Sequence, residues 1–177
     1  MLKILNMKNL LFCFFVSVNF VGFAQDSTIN YPDYTLTIEG IVNKGLTIVS
    51  GEEGVERDWE AFRMLFDPKA QISVVNHDSL GNAVHQVYSL GQFVRLGMKF
   101  YETDGFIEYE ISSIIEEYNG LATVFQGYYA KELDYEEKGV NSYQLFFDGS
   151  RWWITSLIWT SDRNGIQLPK KYDGPLK

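Results

Sequence analysis

One cysteine, Cys13, and two histidines, His77 and His85, are all that 177 residues offer for thiol or imidazole chemistry. The cysteine falls in the first 24 residues, so the rest of the chain can form no disulfide and packing alone must hold it. Two histidines eight positions apart give neither a close-set imidazole metal site nor a Ser-His-Asp arrangement with a recognisable nucleophile motif. No apolar run reaches the roughly 20 residues of a membrane span. The four prolines, Pro32, Pro68, Pro169 and Pro175, stand between or beyond the elements predicted below, and no repeat or low-complexity tract occurs.

What is abundant is apolar and acidic. Apolar residues make up 46% and aromatic residues 16% of the chain, far from the composition of a disordered segment, and the length suits one domain. In "MKNLLFCFFVSVNFVGFAQD" a lysine precedes an apolar run that ends in Gly22-Phe23-Ala24. This is the pattern of a secretory leader over residues 1–24, cut before Gln25. Phe12 before Cys13 is too large for a lipoprotein signal. The expectation is therefore a periplasmic or secreted protein without a lipid and without membrane contact once the leader is gone. Removing the leader takes two of the 15 basic residues and none of the 23 acidic ones. The remaining negative charge argues against nucleic acid as a partner.

Residues 25–33 form a lead-in, and elements begin at 34. Ile38, Ile41, Val42, Gly45 and Val49 follow helical spacing, with Gly51 placed to stop the helix. Asp58 can cap a second helix, "DWEAFRMLF", closed by Asp67-Pro68. "AQISVV" and "AVHQVY" read as a short hairpin around "NHDSLGN". A third helix opens at Ser89, whose spacing to Gln92 fits a capping box, and carries Phe93, Gly97, Phe100 and Tyr101 on one stripe.

Two long hairpins follow. Asn119-Gly120 is a strong two-residue hairpin turn, which sets Ile115 opposite Val124, Ser113 opposite Gln126, Ile111 opposite Tyr128 and Glu108 opposite Lys131. Strict alternation then puts Tyr109, Ser113, Gln126 and Tyr128 on an inner face, with Glu108 and Glu110 outside. Beyond Asp148-Gly149, strand "WWITSLIW" is apolar on both sides. The tail 162–177 is short and polar. Alternation therefore predicts a homodimer joined by Phe125, Phe146, Trp153, Leu157 and Trp159.

The order of three helices and a curled sheet, with "RDWEAFRMLFDPKAQISVV" and "GVNSYQLFFDGSRWWITSLIWT", resembles the nuclear transport factor 2-like superfamily and its bacterial SnoaL-like branch, over residues 34–161. The resemblance implies an α+β cone: three N-terminal helices packed on a strongly curved antiparallel sheet around a cavity. Isomerase-like and cyclase-like members carry a general-base aspartate after the second helix. Aligning on Ala70 puts Ser73 and Val74 there, and valine accepts no proton. The expected function is a non-catalytic domain that binds a small apolar molecule or serves as a dimeric scaffold. Tyr109, Ser113, Gln126, Tyr128, Asn141, Tyr143 and Trp152 are its candidate ligand-binding residues, without cofactor or metal. The alternative is a cofactor-free dehydratase, cyclase or isomerase using His85 with a cavity tyrosine.

Overall fold

The structure, a computed structural model, describes residues 30–133 and 135–175; the expected leader and its cleavage point lie outside the described residues. Within Tyr31–Lys177 the order is α1 (Ile38–Val49), α2 (Trp59–Leu65), β1 (Phe66–His77), β2 (Ala83–Ser89), α3 (Leu90–Thr103), β3 (Ile107–Tyr118), β4 (Leu121–Glu132), β5 (Tyr135–Phe147) and β6 (Trp152–Ser161). Each helix starts where a side chain can satisfy a free backbone N–H. Thr37 accepts from Gly40, Asp58 accepts from Ala61, and Ser89 and Gln92 make the reciprocal capping box. Among the described residues no helix is long and apolar enough to cross a membrane.

The six strands form one sheet in the order β2-β1-β6-β5-β4-β3. All neighbours are antiparallel except β1 and β6, which run parallel, so the sheet is mixed and not purely antiparallel. The helices cover one face. Ile41, Val42, Trp59, Phe62, Leu65, Ile72, Val94, Val124, Leu145 and Ile154 fill the space between the layers, each removed from water. Burying a side chain of this size stabilises the fold by about 1.5–3 kcal/mol.

Two bulges decide which residues face the helices. In β3 the pairs Ser112↔Gly127 and Glu110↔Tyr128 leave Ile111 without a partner. In β6 the pairs Gln144↔Ser156 and Leu145↔Ile154 leave Thr155 without one. An extra residue shifts the side-chain alternation by one, so every residue beyond it changes face. Trp152 and Ile154 before the second bulge and Leu157 and Trp159 after it therefore all face the helices. The strand is apolar in both phases because it changes phase midway. Leu157 and Trp159 are interior residues and cannot join an outer dimer contact, so they give no reason for a second copy of the chain.

The first bulge overturns a second expectation. The register Ile115↔Val124 and Ser113↔Gln126 holds near the turn, but beyond Ile111 the pairs are Glu108↔Ala130 and Ile107↔Lys131. Glu108 and Glu110 thus point inward. Tyr109 points outward, where its ring lies 5.0 Å from that of Tyr129.

The outer face is covered in part by the chain's own tail. Ser112 Oγ donates to the carbonyl of Tyr172 at 2.8 Å, the Tyr172 and Phe125 rings stack at 6.0 Å, and Lys138 pairs with Asp173 at 2.5 Å. The tail backbone passes so close to Gly127 that any Cβ there would strike the Tyr172 carbonyl oxygen. The tail therefore covers Phe125 only in part, and 39% of that residue stays exposed. Phe146 and Trp153 do face outward, beside Leu121. The Arg151 guanidinium lies 3.7 Å over the Trp153 ring, whose Nε1 donates to Asp148.

Candidate functional site

Between the helices and the sheet lies an inner chamber of about 60 Å³, opening toward a vestibule of about 400 Å³. Phe93, Tyr101, Phe106, Glu137 and Trp159 line both. The chamber also meets Gly45 of α1, Phe62 of α2, Phe66 of β1, Glu108 of β3, Tyr128 of β4, and Asn141 and Tyr143 of β5. One element holds the mouth helix in place. The buried Arg57 guanidinium donates to the carbonyls of Val49 at 3.0 Å, Gly51 at 2.6 Å, Glu52 at 3.3 Å and Tyr101 at 2.8 Å, and to Val55, tying the end of α1 to α3. Gly51 stands one residue beyond the helix cap, Ser50, and its role is to leave room for that guanidinium, which a Cβ would strike.

Glu108 is the chemical centre of the chamber. Asn141 Nδ2 donates to its Oε1 at 3.4 Å. Burial pushes its carboxyl up to about 8; the Asn141 bond works the other way, and the charge of Glu137 adds to the rise. At neutral pH the carboxyl is thus mostly the neutral acid, able to donate. Behind it the Gln126 amide is fixed in one orientation. Its Nε2 donates to Glu110 Oε2 at 3.0 Å and Asn43 Oδ1 at 3.3 Å, and its Oε1 accepts from Asn141 at 3.4 Å and from the Tyr143 hydroxyl at 3.3 Å. The Tyr128 hydroxyl donates to Glu137 Oε1 at 3.1 Å. Burial raises Tyr128, Tyr143 and Tyr101, reinforced by nearby carboxylates, so all three stay protonated hydroxyls.

Of the residues proposed from the sequence, Tyr128, Asn141 and Tyr143 lie on the chamber wall. Gln126 lies behind it, fully buried. Trp152 is packed in the core with its ring 5.4 Å from Phe147, away from the chamber lining. Ser113 shares the inner face on edge strand β3 but is exposed, and Tyr109 is on the outer face. His85, paired with Val75 on the outer face and exposed, cannot act in the cavity. Val74 lines the vestibule, so the position where the resemblance implies an aspartate does face the cavity. Alternation without bulges hid Glu108. The signal available was the pair of acids two apart among Ile107, Tyr109 and Ile111, which a solvated face explains equally well. No group of three or more His, Cys, Asp or Glu that could hold a metal ion occurs among the described residues.

No protein-family model matches the sequence, and no curated protein matches it. Solved structures do resemble the fold. A nuclear transport factor 2-like protein of unknown function from Pseudomonas aeruginosa superposes with a TM-score of 0.55 at 13% identity, over 68% of this chain and 94% of that one. One from Pseudomonas putida gives 0.55 at 10% identity, over 79% and 93%. A candidate scytalone dehydratase from Novosphingobium aromaticivorans gives 0.52 at 10% identity, over 70% and 80%. Identities this low carry the fold and no activity. Three helices on a curved mixed sheet that encloses a cavity, matched by these structures, mean that the chain has the nuclear transport factor 2-like fold.

Proposed function

We propose that the protein binds a small, largely apolar molecule in the cone, with a hydrogen-bond acceptor of that molecule against the neutral carboxyl of Glu108. The supporting observation is the placement of this acid on an aromatic wall, where a polar group fixes orientation and apolar surface supplies affinity. The proposal includes export by the N-terminal leader, supported by Lys8, the apolar run and Gly22-Phe23-Ala24. Gly45 provides a test of the site. It lines the chamber, and a Cβ there would meet only Leu65 Cδ1, at 3.7 Å. Gly45→Leu should therefore fill the chamber without breaking α1, since leucine is the better helix former. Calorimetric titration with meta-tert-butylphenol should give binding to the unmodified protein and none to Gly45→Leu. Equal affinity for both would overturn the site.

A second reading, proton-transfer catalysis, is favoured by the same carboxyl. A group pushed to about 8 populates both protonation states near neutrality, as an acid-base catalyst must. Glu108 then takes the role that the sequence offered to His85. Turnover that vanishes in Glu108→Gln while binding persists would establish it. Turnover unchanged in that variant would remove it.

A further inference from the structure

We propose that the vestibule takes a cationic ammonium group carried on an apolar body, held between Glu132 and a continuous aromatic wall. The inference rests on the cavity-binding reading above and names the class of ligand. The wall is a chain of rings: Trp159 to Phe93 at 6.0 Å, Phe93 to Tyr101 at 6.4 Å, Tyr101 to Phe106 at 4.8 Å and Tyr101 to Phe100 at 5.0 Å between centroids. Ring faces attract cations through their quadrupole, and a desolvated site strengthens the attraction.

Among the described residues, the charges that line the vestibule are Glu132, Glu137 and Arg163. Arg163 already serves the carboxylates of the same wall. Its Nε donates to Glu137 Oε2, and its guanidinium lies 4.2 Å over the Tyr135 ring. Glu137 is therefore satisfied twice, by Arg163 and by the Tyr128 hydroxyl. Glu132 is not. Its side chain is 18% exposed, its nearest cationic atom is Arg163 Nη2 at 3.8 Å, beyond hydrogen-bond reach, and among the described residues nothing donates to its carboxylate. A carboxylate largely withdrawn from water, with one long ion pair and no hydrogen-bond donor among the described residues, can accept a further positive group. Burial raises Glu132, and the charges of Asp104 and Glu137 add to the rise against the pull of Arg163, consistent with that deficit. An anionic group in the same place would face two carboxylates against one arginine that is already paired with both, and a neutral apolar group would leave Glu132 as it is. A trimethylammonium head suits the site because its charge is spread over methyl groups that also pack on ring faces.

The test is a pair of probes alike in shape and different in charge: meta-hydroxyphenyltrimethylammonium and meta-tert-butylphenol, titrated calorimetrically into the full chain near neutral pH. The cation should bind about tenfold more tightly than its neutral isostere. That preference should shrink to within about twofold in Glu132→Gln and weaken with added salt. The neutral probe should bind the variant as it binds the unmodified protein, which also reports that the variant is folded. Equal or tighter binding of the neutral isostere to the unmodified protein would overturn the ammonium site and leave the cavity reading standing. Binding of neither probe would remove both.

Discussion

Asn141 donates to Glu108 across 3.4 Å, and this bond is the local influence that opposes the burial of the carboxyl. The pH dependence of stability follows. The native state holds the Glu108 proton up to about 8, whereas an unfolded chain releases it near 4.5. The native state therefore binds more protons across that window, so this group's contribution falls as pH rises through it and is constant above. Other carboxylates slope the opposite way, so the difference between the unmodified chain and Glu108→Gln isolates it. The variant should gain relative stability between pH 4.5 and 8, by an amount on the order of a few kcal/mol. Urea melts at several pH values measure this; parallel curves would mean that Glu108 ionises normally.

Gln126→Leu should act on stability before it acts on binding. The amide serves Asn43, Glu110, Asn141 and Tyr143, and leucine would leave a buried hydroxyl and a buried amide short of partners. A loss of about 2–4 kcal/mol is expected by urea denaturation. A cost below about 1 kcal/mol would show that water replaces the amide.

Arg57→Met should be more damaging than its exposed-looking sequence context "VERD" suggests. Five carbonyls converge on one guanidinium, and a methionine returns none of those bonds. We expect about 3 kcal/mol or more of lost stability, and faster hydrogen exchange at the end of α1 and in α3. Local protection unchanged at Tyr101 would contradict the tie between the two helices.

Removing the tail after Gly165 should uncover Phe125, Val140 and Ile114 on the outer face. The expected result is a lower melting temperature and new binding of a hydrophobic dye, with light scattering reporting whether the bared face then self-associates. An unchanged melting temperature would mean that the Tyr172 contacts contribute nothing net.

Much of this architecture was legible in the chain. Capping residues at Asp58 and Ser89 mark helix starts because their side chains satisfy specific backbone donors, and Asn119-Gly120 sets its hairpin because few dipeptides adopt that turn. The register was legible only as far as the turn controls it. Ile111 and Thr155 carry nothing in their identity that announces a bulge, since either residue sits comfortably in a regular strand. The consequence is largest at the site itself: unbroken alternation sends Glu108 of the chamber wall to solvent, and the interior residues Leu157 and Trp159 to an interface. The cover that the tail provides is illegible for another reason. Its contacts with Ser112 and Gly127 use backbone atoms, which side-chain polarity does not reveal.

The parallel ladder that sets Ile72 beside Leu157 and Val74 beside Trp159 joins the first strand to be synthesised to the last. During synthesis the β1–β2 hairpin must wait, with one edge of backbone groups unpaired, until β6 has left the ribosome. Contacts so distant in sequence form slowly and keep an adhesive edge open meanwhile. The vestibule, whose walls include both Val74 and Trp159, therefore comes into being only at the end of folding. A ligand can select the finished domain but cannot template its assembly, and a chain interrupted anywhere before β6 would present an open edge and no site.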